Sequence, residues 1–216
     1  MGTKADTDHK HLHQRRTMMV TILTAITMLV EILFGITTNS MALLADGIHM
    51  GSHVLAIGLS WVAYIIFEKA SLNKNFKGNK NKILSLSGYS SGLMLFIFAI
   101  VILTEAIQRF YKPVEIDFSD AIIVAFIGLT VNIASAFLLH HKHEHADINI
   151  HAAYLHVIAD ALTSIAAITG LAAAMIFKII WIDALVAVLS SFIIIRWAIG
   201  LLKVSGKELL DIRKGN

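Results

Sequence analysis

Long unbroken apolar runs constrain this chain more than any other feature. They extend from about Thr17 to Ile36, Ser40 to Phe67, Ile83 to Phe110, Ala121 to Leu139, and from about Ile150 to Leu202. A helix needs roughly 20 apolar residues to cross a bilayer. The last run is too long for one crossing, and Lys178 is its best break. A fifth helix then ends near Phe177 and a sixth starts near Ile179. A membrane β-barrel would show strands of alternating polarity with frequent turns, and these runs do not alternate. The expected fold is all-α: a polytopic membrane protein with six transmembrane helices. Six spans leave no room in 216 residues for a large soluble domain. The sequence has no Cys, so thiolate ligands and disulfides are excluded, and one Pro, so helices are seldom broken.

Lys and Arg set the orientation, because cytoplasmic loops collect them. With the N-terminus inside, the outer loops hold only Lys112 and Lys178, and most of the 18 Lys and Arg fall on the inner side. Both termini are therefore expected in the cytoplasm, and the protein in the cell (inner or plasma) membrane. The domains read as a polar His-containing tail over 1–16, a transporter domain over 17–203 with a His-rich cytoplasmic loop at 140–149, and a short cytoplasmic tail over 204–216. The tail has no secretory signal core. A net charge of +3 gives no reason to expect a nucleic-acid partner.

The eleven His are unusual in so apolar a chain. His49 and His53 lie four apart in the second span, and His156 and Asp160 lie four apart in the fifth. Each pair shares one helical face. Polar side chains persist in a membrane when they face a partner helix, a water path or an ion. Two such faces turned together supply three imidazoles and a carboxylate, which suits a tetrahedral divalent transition ion. Asp46 lies nearly on the face of His49. It is either an acceptor that orients a ligand His or a capping residue at the helix start. Glu31 and Asn132 are expected to line an ion path. Glu105 pairs with Arg109 at i+4, and Arg196 reaches toward the inner surface. His140, His141, His143 and His145 either gather ions at the cytoplasmic mouth or belong to a solvated linker. His9, His11 and His13 carry a weaker case.

The stretches NSMALLADGIHMGSHVLAIGLSW and NIHAAYLHVIADALTSIAAITGL resemble the second and fifth helices of the cation diffusion facilitator family. The resemblance implies a divalent-metal efflux carrier, not an enzyme, with His49, His53, His156 and Asp160 as its transport ligands. It implies metal–proton antiport by alternating access, a homodimer, and no permanent cofactor beyond the transported ion. Zinc-transporting members typically place Asp where this chain has His53. That departure, with AAYLHVIADALTS and the His-rich loop, resembles the DmeF branch. The branch implies cobalt and nickel, with zinc or cadmium as further substrates. Family members commonly carry a metal-sensing, dimerising domain after the sixth helix. Only residues 204–216 follow here, so that domain is expected to be absent and dimerisation to rest on the helices.

Rival classes are a membrane b-type haem protein with His axial ligands, a zinc-, iron- or manganese-specific exporter of the same family, an intramembrane metalloprotease, and an assembly factor with structural His. The haem reading leaves Asp160 and the His-rich segments without a role. The protease reading lacks its His-Glu-x-x-His helix.

Overall fold

In the computed structural model, the described residues are 4–72, 79–139 and 148–211, and within them the side chains of 4–17, 52, 53, 57, 80, 81, 139 and 148–159 fall outside the description. Six helices follow in chain order: α1 (Lys4–Thr37), α2 (Met41–Ser71), α3 (Lys80–Tyr111), α4 (Phe118–Leu139), α5 (Ile148–Phe177) and α6 (Trp181–Leu209). All six are long and apolar enough to cross a membrane, and the described residues contain no strand. The single Pro, Pro113, sits in the α3–α4 loop, where it breaks nothing.

The helix bounds differ from the apolar runs for local reasons. The α1 helix starts at Lys4, because nothing between Lys4 and Thr17 is a Gly or Pro that would stop it. Its membrane-length part begins at Met18, where the apolar run does. The α4 helix starts at Phe118 and carries Asp120 in its first turn, where the Asp117 carboxylate accepts the Asp120 amide at 3.3 Å. Lys178 does break the last run. It takes a left-handed φ of 56°, and the Ile179 amide bonds back to the Ala174 carbonyl at 3.0 Å. That closes α5 in the manner of a Schellman turn.

The α1–α2 hairpin is as tight. Asn39 adopts a left-handed φ of 60°, a conformation Asn tolerates better than most residues. Ser40 then caps α2, its hydroxyl accepting the Leu43 amide at 3.1 Å. Glycines let the two helices approach. A Cβ on Gly35 would stand 2.7 Å from the Leu44 backbone nitrogen, and one on Gly47 would stand 2.9 Å from Ile32.

Helices α1, α2, α4 and α5 close into a ring through α1–α2, α1–α4, α4–α5 and α2–α5 contacts. The α3–α6 pair packs outside it, mainly on α2, and α6 also touches α5. Leu43, Ala121, Val124, Ala125 and Leu171 join α2, α4 and α5. Met41, Ala45, Ile102, Ala106 and Ala187 join α2 to α3 and α6. The polarity of a soluble bundle is inverted. Large apolar side chains such as Leu33, Phe137 and Phe192 point outward, while Glu31, Asn132, Asp160 and Asp183 are buried. An outer surface this apolar suits lipid rather than water. The chain is a multi-pass membrane protein.

Candidate metal-transport site

The α2 and α5 helices bring the site together where they pack. His49 Nε2 lies 3.5 Å from Asp160 Oδ1, and both side chains are almost fully buried. The pair attracts as an ion pair only when the imidazole is protonated. Trp197 of α6 packs against the His49 ring, with centroids 5.0 Å apart and planes tilted by 48°. The outer α3–α6 pair therefore reaches the site through one indole.

His53 lies four residues beyond His49 on α2, and His156 four residues before Asp160 on α5. Their side chains fall outside the described residues. Among the described residues, no group of three or more His, Asp or Glu is arranged to hold an ion. The described half of the expected set is one nitrogen and one oxygen donor from two different helices. Such a mixed pair suits a divalent transition ion as substrate. His140, His141, His143 and His145 lie outside the described residues, as do the side chains of His9, His11 and His13.

Asp46, Glu31 and Asn132 are all buried. The Thr163 and Ser164 hydroxyls face Asp46, but its carboxylate makes no hydrogen bond of good geometry. Asn132 of α4 donates to Ser164 Oγ at 3.3 Å, tying α4 to α5 beside Asp160. Glu31 projects from α1 toward α4, where a Cβ on Gly128 would collide with its Oε1. Glu31 has Asp46 and then Asp160 as charged neighbours. Glu105 pairs with Arg109 at 3.5 Å, and Arg109 Nη1 also donates to the Asn39 carbonyl at 2.9 Å. Arg196 lines an apolar groove on α6 together with Lys203.

Three contributors escaped the sequence reading. Asp183 of α6 accepts the Ser40 hydroxyl and the Met41 and Ala42 amides, anchoring the start of the helix that carries His49. An Asp three residues into an apolar run was its only signal, and that reads equally well as a cap for its own helix. Ser164 and Trp197 gave no signal, since a small hydroxyl and an aromatic ring are ordinary in membrane helices.

Six membrane-length helices with a buried His–Asp pair between two of them define a polytopic membrane protein. Residues 17–210 match the cation efflux transmembrane domain, and the chain belongs to that family. It is 36% identical over 210 residues to the zinc transporter ZitB of Pectobacterium atrosepticum, covering 94% of this chain and 65% of that protein. It is 34% identical over 191 residues to a protein of Bacillus velezensis named cadmium, cobalt and zinc/H(+)-K(+) antiporter, covering 88% of this chain and 60% of the relative. The Escherichia coli ZitB is 34% identical, over 91% of this chain and 63% of its own length. The chain thus spans less than two thirds of the length of these relatives.

Proposed function

We propose that residues 17–203 form the transporter domain of a divalent transition-metal exporter in the cell membrane, flanked by cytoplasmic segments at 1–16 and 204–216. His49, His53, His156 and Asp160 bind the ion. Asp46, Glu31 and Asn132 line its path, and His140, His141, His143 and His145 gather ions at the cytoplasmic mouth. Cobalt and nickel are the favoured substrates, as in the DmeF branch, because His53 adds an imidazole nitrogen where zinc-transporting members have a carboxylate. Protons are the counter-ion, and the working unit is a homodimer.

The observation that carries this reading is the buried approach of His49 to Asp160 across the α2–α5 contact. An imidazole must be neutral to bind metal, and it titrates near pH 6.5 when unperturbed. Arrival of an ion therefore releases any proton held there, and a proton from outside helps to expel the ion. Alternating access is the rocking of the α1–α2–α4–α5 ring against the α3–α6 pair, which Trp197 couples to His49.

A second reading ranks zinc and cadmium first. The names of the relatives favour it, since they give zinc, cadmium and cobalt as substrates and protons and potassium as counter-ions. Ion uptake into inverted vesicles, with cobalt, nickel, zinc, cadmium and manganese side by side, separates the two. Cobalt and nickel uptake that acidifies the medium outside the vesicles supports the first. Zinc and cadmium uptake with no cobalt or nickel supports the second. No uptake of any of these ions removes both.

A further inference from the structure

Two carboxylates in this ring are left over once the His–Asp pair is accounted for. Glu31 is completely buried and Asp46 nearly so. Neither Glu31 oxygen has a hydrogen-bond partner. The Glu31 side chain passes over Gly128 of α4, with Thr27 also at that glycine. A larger residue at 128 would fill the place its carboxylate takes. A Cβ on Gly47, next to Asp46 in the chain, would stand 3.1 Å from the Glu31 Cβ, so Glu31 lies against the turn of α2 that carries Asp46, with Asp160 as a further charged neighbour. Below Gly128, the same face of α4 carries Asn132 and Ser135, both buried, and the Ser135 hydroxyl also lacks a partner.

Leaving two such groups charged, Glu31 with no hydrogen-bond partner and Asp46 with only the Thr163 and Ser164 hydroxyls facing it, costs several kcal/mol in a low-dielectric interior. A resident or passing cation offsets that cost. Among the described residues the donors here are carboxylate, amide and hydroxyl oxygens, with no imidazole among them. Oxygen sets select hard divalent ions, whereas imidazole sets favour the later transition metals. Asp46 is also about one turn nearer the outer end of α2 than His49.

We propose that Glu31 and Asp46, the latter linked to Asn132 through Ser164, form a second divalent-cation site of oxygen donors, one helical turn outward of the His49–Asp160 pair. Two carboxylates neutralise a 2+ ion fully, so the site serves as a station for an ion released from the first. That role rests on reading the His49–Asp160 pair as the transport site. The existence of the second site does not.

Manganese and cobalt read the two sites separately. Binding to the detergent-purified full chain is followed by loss of the free manganese resonance signal, and by the visible absorption of cobalt bound to imidazole. The parent protein takes up manganese. Glu31→Gln weakens that uptake at least tenfold while the cobalt band persists, and His49→Ala does the reverse. Should Glu31→Gln fail to fold, Gly128→Ala serves, since its methyl group displaces the Glu31 carboxylate. Folded parent protein that takes up no manganese overturns the proposal. So does manganese binding that survives Glu31→Gln or, in its place, Gly128→Ala, or that is lost with His49→Ala. A parent with manganese bound in this pattern but no cobalt band sustains the second site and removes the transport reading of the first.

Discussion

The Ser40 hydroxyl donates to Asp183 Oδ1 at 2.8 Å across an interval of 143 residues. The same carboxylate accepts the Met41 amide at 2.8 Å and the Ala42 amide at 3.1 Å. The first turn of α2 is thus capped from another helix, at donors that would otherwise be unsatisfied. About two and a half turns separate this anchor from His49, so it fixes the height of the site within the bundle. Asp183→Ala leaves these buried donors without their acceptor and costs about 1–3 kcal/mol. Asp183→Asn, which keeps one acceptor oxygen, costs less. Thermal melting of the detergent-purified variants checks the order. An alanine variant as stable as the parent would show that the clamp holds nothing.

The α1–α2 seam makes a second prediction. Gly35→Ala forces a methyl group against the Leu44 backbone, where the nearest atoms lie at 2.7 and 2.8 Å. Backbone cannot swing aside as a side chain can, so the hairpin must open. The variant should lose about 1–3 kcal/mol through overpacking. Gly200→Ala is the control, because nothing lies within 4 Å of its added Cβ. A helix-interior Gly is about 0.5–1 kcal/mol worse than Ala, so this variant should be neutral or slightly more stable. Equal melting temperatures for the two would refute the close approach.

The helices were legible because bilayer crossing leaves a long, composition-level signal. Their ends were less so. The start of α1 at Lys4 is set by the lack of a breaker, and α4 gains a turn from the Asp117 cap; both are local effects that hydropathy does not register. Spacing placed His49 and Asp160 each on a helical face, but their 3.5 Å approach depends on how α2 crosses α5. The Asp183 clamp was illegible for the same reason. Its partners are remote in sequence, and only the packing of α6 on α2 makes them neighbours.

Removing one ligand tests the site. His49→Ala, His53→Ala, His156→Ala and Asp160→Ala should each nearly abolish metal transport while the protein remains folded. A four-ligand site missing one donor loses both affinity and geometry. Vesicle uptake at matched expression is the measurement. Full transport by any one variant would remove that residue from the site.

Selectivity should turn on residue 53. His53→Asp replaces an imidazole with a carboxylate and makes the site one charge more negative. Preference should move from cobalt and nickel toward zinc and cadmium. Competition between the four ions in the same vesicles reads the shift directly. An unchanged ratio would place the selectivity elsewhere.

The proposed role of the His-rich segment differs from that of the helices. Consider His140, His141, His143 and His145 replaced together by Ser. By the Lys and Arg distribution they lie on the cytoplasmic side, outside the bilayer. Solvated imidazoles bind divalent ions weakly and release them quickly, so their effect is to raise the local ion concentration. They cannot supply the ligands held between facing helices. The expected outcome is a higher half-saturation concentration with the maximal rate largely kept. The difference from the parent should shrink as metal saturates the carrier. It should shrink again as the pH on the cytoplasmic face falls below about 6, where unperturbed imidazoles carry a proton and no longer bind metal. Initial uptake rates across a metal series at two pH values give both comparisons. Complete loss of transport at saturating metal, in a folded variant, would make the segment part of the translocation path itself.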